Sequence, residues 1–178
     1  MSDEELYLFS STNEVVWIER EANGDISIKP ISPTLVAAAS SDVAGELWRW
    51  LGDEGHGRLL AGAGFFLPDG SMFGPRIALV SPEKSAVIAN REKDGFAPFA
   101  PDFVVEFNGV FDESGEMARK MERWIANGVQ LGWLIDPFEK TITAYRPGAA
   151  PEEHVNPSSV QGTGPIAGFE LVLARVWG

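Results

Sequence analysis

Cysteine is absent from the 178 residues of the sequence. Its absence excludes disulfide bonds, thiolate zinc sites and a cysteine nucleophile, and it is typical of proteins kept in a reducing compartment. No apolar run approaches the roughly 18 residues of a membrane span. The acidic start, MSDEELYLFSS, also lacks the basic segment of a signal peptide. We therefore expect a cytoplasmic protein with no membrane partner.

Basic residues are scarce. Lysine and arginine number 14 against 26 aspartates and glutamates, which gives a net charge of −12. Duplex DNA repels an acidic surface, because association relies on Lys and Arg displacing counterions. The charge argues against a general DNA-binding module, so that any nucleic-acid role would depend on a local basic patch or on metal ions.

Hydrophobic residues are plentiful at 44%, with six Trp and eleven Phe, which predicts a packed core. The length suits a single domain over residues 1–178. Within it we predict a loose N-terminus over 1–14, a flexible loop over the Gly-, Pro- and Ser-rich segment 148–165, and a closing strand over 169–177.

Local patterns predict a mixed α/β (α+β) fold. Residues 15–31 form an expected β-hairpin with Asn23 and Gly24 at its turn. A helix is expected over 34–51, where Leu35, Ala39, Val43, Leu47 and Leu51 fall near helical spacing. Further along we predict strands within 62–81 and at 102–107, a helix at 113–127, and strands at 131–136 and 141–147. The order indicates a mixed β-sheet flanked by helices, with an N-terminal hairpin.

Two acidic residues share one short apolar strand, Asp102 and Glu106. Alternate side chains of a strand face the same way, so both lie on the face of Val104, and the opposite face is apolar and should pack on helices. A carboxylate flanked by apolar residues is costly unless it is paired or metal-bound, which marks Glu106 as a candidate site residue. Four residues at about 3.3 Å each separate the two Cα atoms by about 13 Å, too far to hold one ion. Asp102 is expected to shape the turn after Pro101.

Lys120 lies within the predicted helix 113–127, on the flank of the face made by Met117, Met121 and Trp124. A lysine there can rest its stem on the core and direct its ammonium group at the sheet. The alternative is that the ammonium group simply reaches water.

A longer stretch resembles a known family. It comprises Pro-Asp-Phe-Val-Val-Glu (101–106), a helix with Lys-Met (120–121), Asn-Gly (127–128), Leu-Gly-Trp-Leu-Ile-Asp-Pro (131–137) and Tyr-Arg-Pro (145–147). This order of motifs resembles the Uma-type endonuclease family of the restriction-endonuclease-like, or PD-(D/E)XK, superfamily. The resemblance extends from about Ile18 to the end of the chain and includes ISPT (31–34), GFFLPDGS (64–71) and GFELVLARVW (168–177).

The resemblance implies a fold, a chemistry and site residues. In such enzymes two acids on adjacent strands hold Mg²⁺, which activates a water molecule and neutralises charge on the scissile phosphate. Glu106 matches the strand acid, and Lys120 matches a lysine that has moved to the following helix, since the usual lysine position holds Asn108. Active members would have Mg²⁺ as cofactor and DNA as partner, and a homodimer is compatible with the fold.

The chain departs from the family pattern around this site. The first metal acid normally ends a Ser-Pro-Asp triplet, which here reads Gly74-Pro75-Arg76, and the motif after Glu106 is reduced to Asn-Gly-Val-Phe-Asp (108–112). A fixed cation at Arg76 repels Mg²⁺ and could pair with Glu106 instead. We therefore expect a degenerate site, with no metal bound if that pair forms.

Two other functions stay open. One is an active metal-dependent endonuclease that uses Glu106, Lys120 and a substitute acid, either Asp102 or Asp112. The other is an enzyme outside nucleic-acid chemistry, which is less favoured because no nucleophile–base pair is visible. Arg76 and the net charge of −12 favour a non-catalytic binding or assembly protein over both.

Overall fold

The structure is a computed structural model that describes residues 1–13, 15–30, 32–52, 57–90, 95–109 and 115–178. Its helices are α1 (Asp3–Ser11), α2 (Thr34–Leu51), α3 (Pro82–Ala89) and α4 (Glu116–Ala126). Its strands are β1 (Val16–Arg20), β2 (Ile26–Pro30), β3 (Arg58–Ala61), β4 (Phe65–Phe66), β5 (Met72–Phe73), β6 (Ile77–Val80), β7 (Phe103–Phe107), β8 (Leu131–Asp136), β9 (Thr141–Tyr145), β10 (Glu152–Val155), β11 (Ser159–Gln161) and β12 (Glu170–Val172).

The main sheet has six strands in the order β10-β9-β8-β7-β6-β3. Strands β7 and β8 run parallel, and the other neighbours are antiparallel, so the sheet is mixed. A second, four-stranded sheet has the order β2-β1-β5-β4 and contains the N-terminal hairpin. The predicted fold class is confirmed.

The two faces of β7 bury different residues, as strand alternation predicts. Phe103, Val105 and Phe107 lie in a core cluster with buried residues of α2. Val104 lies in a second cluster with the buried residues of α4. The side chain of Glu106 therefore belongs to the face covered by α4.

Helix α4 packs closely on β8 because Gly132 lacks a side chain. A Cβ atom at Gly132 would overlap Cε of Met121. The helix ends at the predicted stop, since Asn127 is its C-cap and Gly128 follows with φ of 105°. This packing brings the α4 side chains close to the sheet.

Helix α2 has the predicted bounds, but its buried face is rotated slightly from the expected one. Val36 is 2% exposed and Leu35 is 41% exposed. The buried stripe therefore begins at Val36 and continues with the predicted positions from Ala39 onwards.

Three segments differ from the sequence prediction. The expected loose N-terminus contains α1, which begins with a capping box between Ser2 and Glu5 and buries Leu6 completely. The expected loop 148–165 contains β10, β11 and most of a 3₁₀ turn, Gly164–Ile166. The expected closing strand 169–177 is reduced to β12, which pairs with β11. No helix within the described ranges is both long and apolar enough to cross a bilayer.

Candidate active site

Glu106 on β7 is a buried carboxylate, with 3% of its surface exposed. The indole Nε1 of Trp124 on α4 donates a hydrogen bond to its Oε1 atom at 3.1 Å. The Nζ atom of Lys120, one helical turn earlier, lies 2.7 Å from the same oxygen. Lys120 therefore points at the sheet, because the helix packs on the face of β7 that carries Glu106.

Lys120 also contacts a carboxylate that sequence reasoning missed. Its Nζ atom lies 2.7 Å from Oε1 of Glu19, which is 8% exposed on β1. The backbone N–H of Gly74 donates to that same oxygen at 2.8 Å. In β1 the alternation of Trp17, Ile18 and Glu19 indicates that Glu19 faces away from Ile18, but only the docking of the hairpin places it beside Lys120.

The protonation of this cluster follows from burial and from charge. Burial raises the pKa of Glu106, since the attraction of Lys120 only partly offsets the loss of solvation. Burial opposes the charged form of Lys120 as well, but Glu106 and Glu19 outweigh it and raise the lysine pKa. The ammonium charge of Lys120 persists when Glu106 takes up a proton, because Glu19 also lies against the ammonium group.

The cluster lines a cavity of about 420 Å³ that contains both signs of charge. Arg76, Lys29 and Glu116 lie in its wall with the three clustered residues. Lys29 and Glu116 pair at 2.6 Å. The guanidinium carbon of Arg76 lies 4.6 Å from the ring centroid of Trp17, which is a cation–π contact.

Arg76 and Glu106 thus share a cavity, but among the described residues the cation within ion-pair distance of Glu106 is Lys120. The guanidinium group of Arg76 lies over the ring of Trp17. The reason is geometric, because α4 packs on the face of β7 that carries Glu106 and places the ammonium group of Lys120 beside it.

Asp102 lies apart from this cavity, as the strand spacing predicted. Its Oδ2 atom accepts from the N–H of Ser81 at 2.7 Å, and its Oδ1 atom lies 2.8 Å from Nζ of Lys84. The carboxylate therefore joins the start of β7 to the first turn of α3.

Asn108 also lies outside the lining of this cavity. Its side-chain amide donates to Oδ2 of Asp136 at 3.1 Å, and its backbone N–H donates to the carbonyl of Ile135 at 2.9 Å. The remaining candidate, Asp112, lies outside the described residues.

The described residues do not fit a divalent cation in this arrangement. Magnesium sites use carboxylate oxygens that are available to the ion. Here the Oε1 atoms of both Glu19 and Glu106 contact the Lys120 ammonium group, and Arg76 adds a positive charge to the same cavity. Within the described ranges, no three His, Cys, Asp or Glu side chains are grouped to hold a metal.

Comparisons with known proteins identify the fold and the family. The chain resembles a solved structure described as "a putative nuclease belonging to DUF820" from Anabaena variabilis ATCC 29413. The TM-score is 0.77 at 21% identity, over 90% of this chain and 89% of that one. At this identity the likeness shows the fold alone. No curated protein matches the chain.

A family model described as "Uma2: Putative restriction endonuclease" matches residues 4–174. That match covers nearly the whole chain and agrees with the motifs between Pro101 and Pro147. The chain belongs to the Uma2 family of restriction-endonuclease-like proteins.

Proposed function

We propose that this chain is an endonuclease-family protein whose hydrolytic centre is impaired and which acts by binding or assembly. One observation carries the proposal: the Lys120 ammonium group contacts both Glu19 and Glu106 at 2.7 Å. The cation that these two carboxylates face is therefore part of the protein. A metal ion would have to displace a buried, doubly paired ammonium group before it could bind there.

Arg76 supports the same proposal. By resemblance it stands where the family carries its first metal acid, and its guanidinium group stays charged at all accessible pH values. A fixed positive charge in the same cavity opposes a divalent cation by Coulomb repulsion.

The remaining parts of the proposal follow from the family. We assign residues 1–178 to one PD-(D/E)XK domain that acts in the cytoplasm and pairs as a homodimer. DNA is the partner class of active relatives, and Mg²⁺ is their cofactor. With a net charge of −12, this chain would need a local contact surface to bind DNA at all.

A supercoiled-plasmid nicking assay with Mg²⁺ and with Mn²⁺ tests the impairment. We expect the wild-type protein to nick no faster than a Glu106→Ala variant purified in the same way. Nicking by the wild type that disappears in Glu106→Ala would overturn the proposal.

A second candidate is an active metal-dependent endonuclease with Glu106, Lys120 and a substitute acid. The observation in its favour is Glu19, which faces Glu106 across Lys120 and supplies a second buried carboxylate. If the wild type nicks DNA, loss of activity in both Glu19→Gln and Glu106→Ala would identify Glu19 as that acid.

A further inference from the structure

A second cavity, of about 280 Å³, is lined by residues of α1 and β1. It contains the rings of Tyr7, Trp17 and Phe96, and its described lining carries no Asp, Glu, Lys or Arg side chain. The candidate active-site cavity, in contrast, is lined by lysine, arginine and glutamate residues. The second cavity, which we call the aromatic cavity, is therefore a separate and uncharged environment, although Trp17 and Gly74 border both.

The rings of the aromatic cavity pack closely on glycine backbone. A Cβ atom at Gly74 would lie 3.0 Å from Cζ3 of Trp17, and one at Gly64 would overlap the ring of Phe96. Phe96 also meets Tyr7 edge-to-face, with ring centroids 5.3 Å apart. The fold itself thus shapes the cavity before any ligand binds, as is usual for small-molecule sites.

The backbone beside Phe96 is held in place as well. The N–H of Ala97 donates to the carbonyl of Gly64 at 2.9 Å, and the N–H of Phe66 donates to the carbonyl of Ala97 at 2.8 Å. The ring of Phe66 also lies against that of Phe96, with centroids 5.6 Å apart. The segment that provides this wall is therefore bonded to β4 and its preceding residue.

Ser10 brings a hydroxyl group without a partner into the aromatic cavity. Its Oγ atom is buried and makes no hydrogen bond among the described residues. The neighbouring Ser11 also lines the cavity, but its hydroxyl group donates to the carbonyl of Leu8 at 3.0 Å. Buried hydroxyl groups are nearly always hydrogen-bonded in proteins, so Oγ of Ser10 indicates where a polar atom of a ligand would bind.

The lining determines the class of ligand. A charged group would lose its hydration in this cavity without gaining a partner of opposite charge among the described lining residues, which is unfavourable. An aromatic ring instead gains from stacked or edge-to-face contacts with the ring walls. The volume is just below the roughly 300 Å³ at which sites for drug-sized ligands begin, so that one ring or two fused rings fit.

We propose that the aromatic cavity binds an uncharged, planar heteroaromatic molecule of one or two rings. Its ring lies among Tyr7, Trp17 and Phe96, and one of its polar atoms bonds to Oγ of Ser10. A hydroxyl group both donates and accepts, so this polar atom is a ring nitrogen or a ring N–H. Two sources share this chemistry, namely a free nucleobase and an indole-type compound. The proposal does not depend on whether the chain cleaves DNA.

Titration calorimetry with four probes at neutral pH tests the ligand class and separates the sources. The uncharged probes are indole, adenine and quinoline, and the fourth is N-methylquinolinium, which adds a fixed positive charge to the rings of quinoline. We expect each uncharged probe to bind saturably, with dissociation constants on the order of 0.1–1 mM for such small ligands. N-methylquinolinium should bind at least about tenfold more weakly than quinoline, because its charge is desolvated without a partner. The tighter of indole and adenine identifies the source.

Variants at Ser10 locate the site. Ser10→Ala should weaken binding about threefold, because one neutral hydrogen bond is lost. Ser10→Leu should abolish binding, since the larger side chain occupies the cavity. The matched control is Ser41→Ala on the exposed face of α2, where the hydroxyl group donates to the carbonyl of Ala37 at 2.9 Å, and this variant should bind like the wild type.

Melting curves without ligand provide a second readout. Ser10→Ala should melt no lower than the wild type, because its hydroxyl group has no protein partner to lose. They also show whether Ser10→Leu folds, and Ser10→Ala carries the test if it does not.

Four results would overturn the proposal. The first two are an absence of saturable binding of every uncharged probe at millimolar concentration, and binding of N-methylquinolinium as tight as that of quinoline. The others are wild-type affinity in the folded Ser10 variants, and a lowered melting temperature of ligand-free Ser10→Ala.

Discussion

The ammonium nitrogen of Lys120 lies 2.7 Å from a carboxylate oxygen of Glu106 and 2.7 Å from one of Glu19. The three residues come from α4, β7 and β1, and Glu19 is separated from Lys120 by 101 positions in the chain. One buried cation thus ties the N-terminal hairpin to the main sheet. The contact that stabilises the fold is also the one that fills the centre of the candidate site.

Replacing Lys120 with methionine should destabilise the protein strongly. The change leaves two buried carboxylates without their cation, and breaking a buried ion pair in this way typically costs about 3–5 kcal/mol. Urea denaturation measures the loss in the free energy of unfolding. A triple variant with Glu19→Gln and Glu106→Gln added should recover part of it, because the unpaired charges are removed. A loss below about 1 kcal/mol in Lys120→Met would show that the ammonium group is not stabilising.

Replacing Arg76 with aspartate should restore measurable affinity for Mg²⁺. The change removes a fixed positive charge from the cavity and adds a carboxylate, at the position where the resemblance implies the family's first metal acid. Calorimetric titration should show heat of binding for Arg76→Asp and none for the wild type. Arg76→Asn is the matched control, since it removes the charge without adding an anion. Equal Mg²⁺ affinity in the wild type and in Arg76→Asp would contradict the view that Arg76 blocks the ion.

The pH dependence of stability should report on Glu106. Burial raises its pKa above the ordinary value of 4.5, so the folded protein holds this proton more tightly than the unfolded chain does. The stabilising effect of the protonated carboxyl is therefore fully present below about pH 4.5 and is lost as the pH rises through the folded-state pKa. Because the pKa of Lys120 is also raised, the lysine stays charged across this range.

Glu106→Gln isolates this effect, because glutamine cannot ionise. Above about pH 4.5 the unfolding free energy of the variant should rise relative to that of the wild type. Urea denaturation at a series of pH values measures the difference, and Glu122→Gln, on the exposed side of α4, is the control. A constant difference between Glu106→Gln and wild type at all pH values would contradict the raised pKa.

Asp102 should prove to be a structural residue. Asp102→Ala removes the acceptor for the Ser81 N–H and the partner of Lys84, and we expect a loss of about 2–3 kcal/mol in the free energy of unfolding. Asp102→Asn should cost less, because its amide oxygen can still accept the backbone hydrogen bond. A loss below about 1 kcal/mol in Asp102→Ala would show that these two contacts do not stabilise the fold.

Much of the fold could be predicted because the sequence patterns that specify it are local: turn residues, helical spacing and strand alternation. Asn23 and Gly24 lie in the hairpin turn as predicted, where the N–H of Gly24 donates to the carbonyl of Glu21 at 2.9 Å and Gly24 has a positive φ of 92°, which glycine adopts readily. Helical spacing identified α2 and α4, and strand alternation separated the two faces of β7. The same two periodicities placed Glu106 on one face of β7 and Lys120 on the flank of the buried face of α4, but they left open whether the ammonium group reaches the sheet or water.

Other elements could not be predicted, because they are stabilised by partners distant in sequence. Helix α1 has one local signature, the capping box between Ser2 and Glu5, but it is held by the burial of Leu6 in a cluster with the distant residues Ile18 and Met72. Strand β10 exists because it pairs with β9, although its own sequence contains three polar residues, Glu152, Glu153 and His154. These residue types do not favour a strand, so the sequence of β10 does not predict one; the backbone hydrogen bonds to β9 stabilise it instead.

The sequence by itself determined the family, the order of most elements, and the element and face on which Glu106 and Lys120 each lie. Only the tertiary structure decided which charges meet. It placed Glu19 beside Lys120, directed Asp102 to Lys84, and stacked Arg76 on Trp17. The physical reason is that periodicity specifies the face on which a side chain lies, whereas the partner on that face depends on how separate elements pack together.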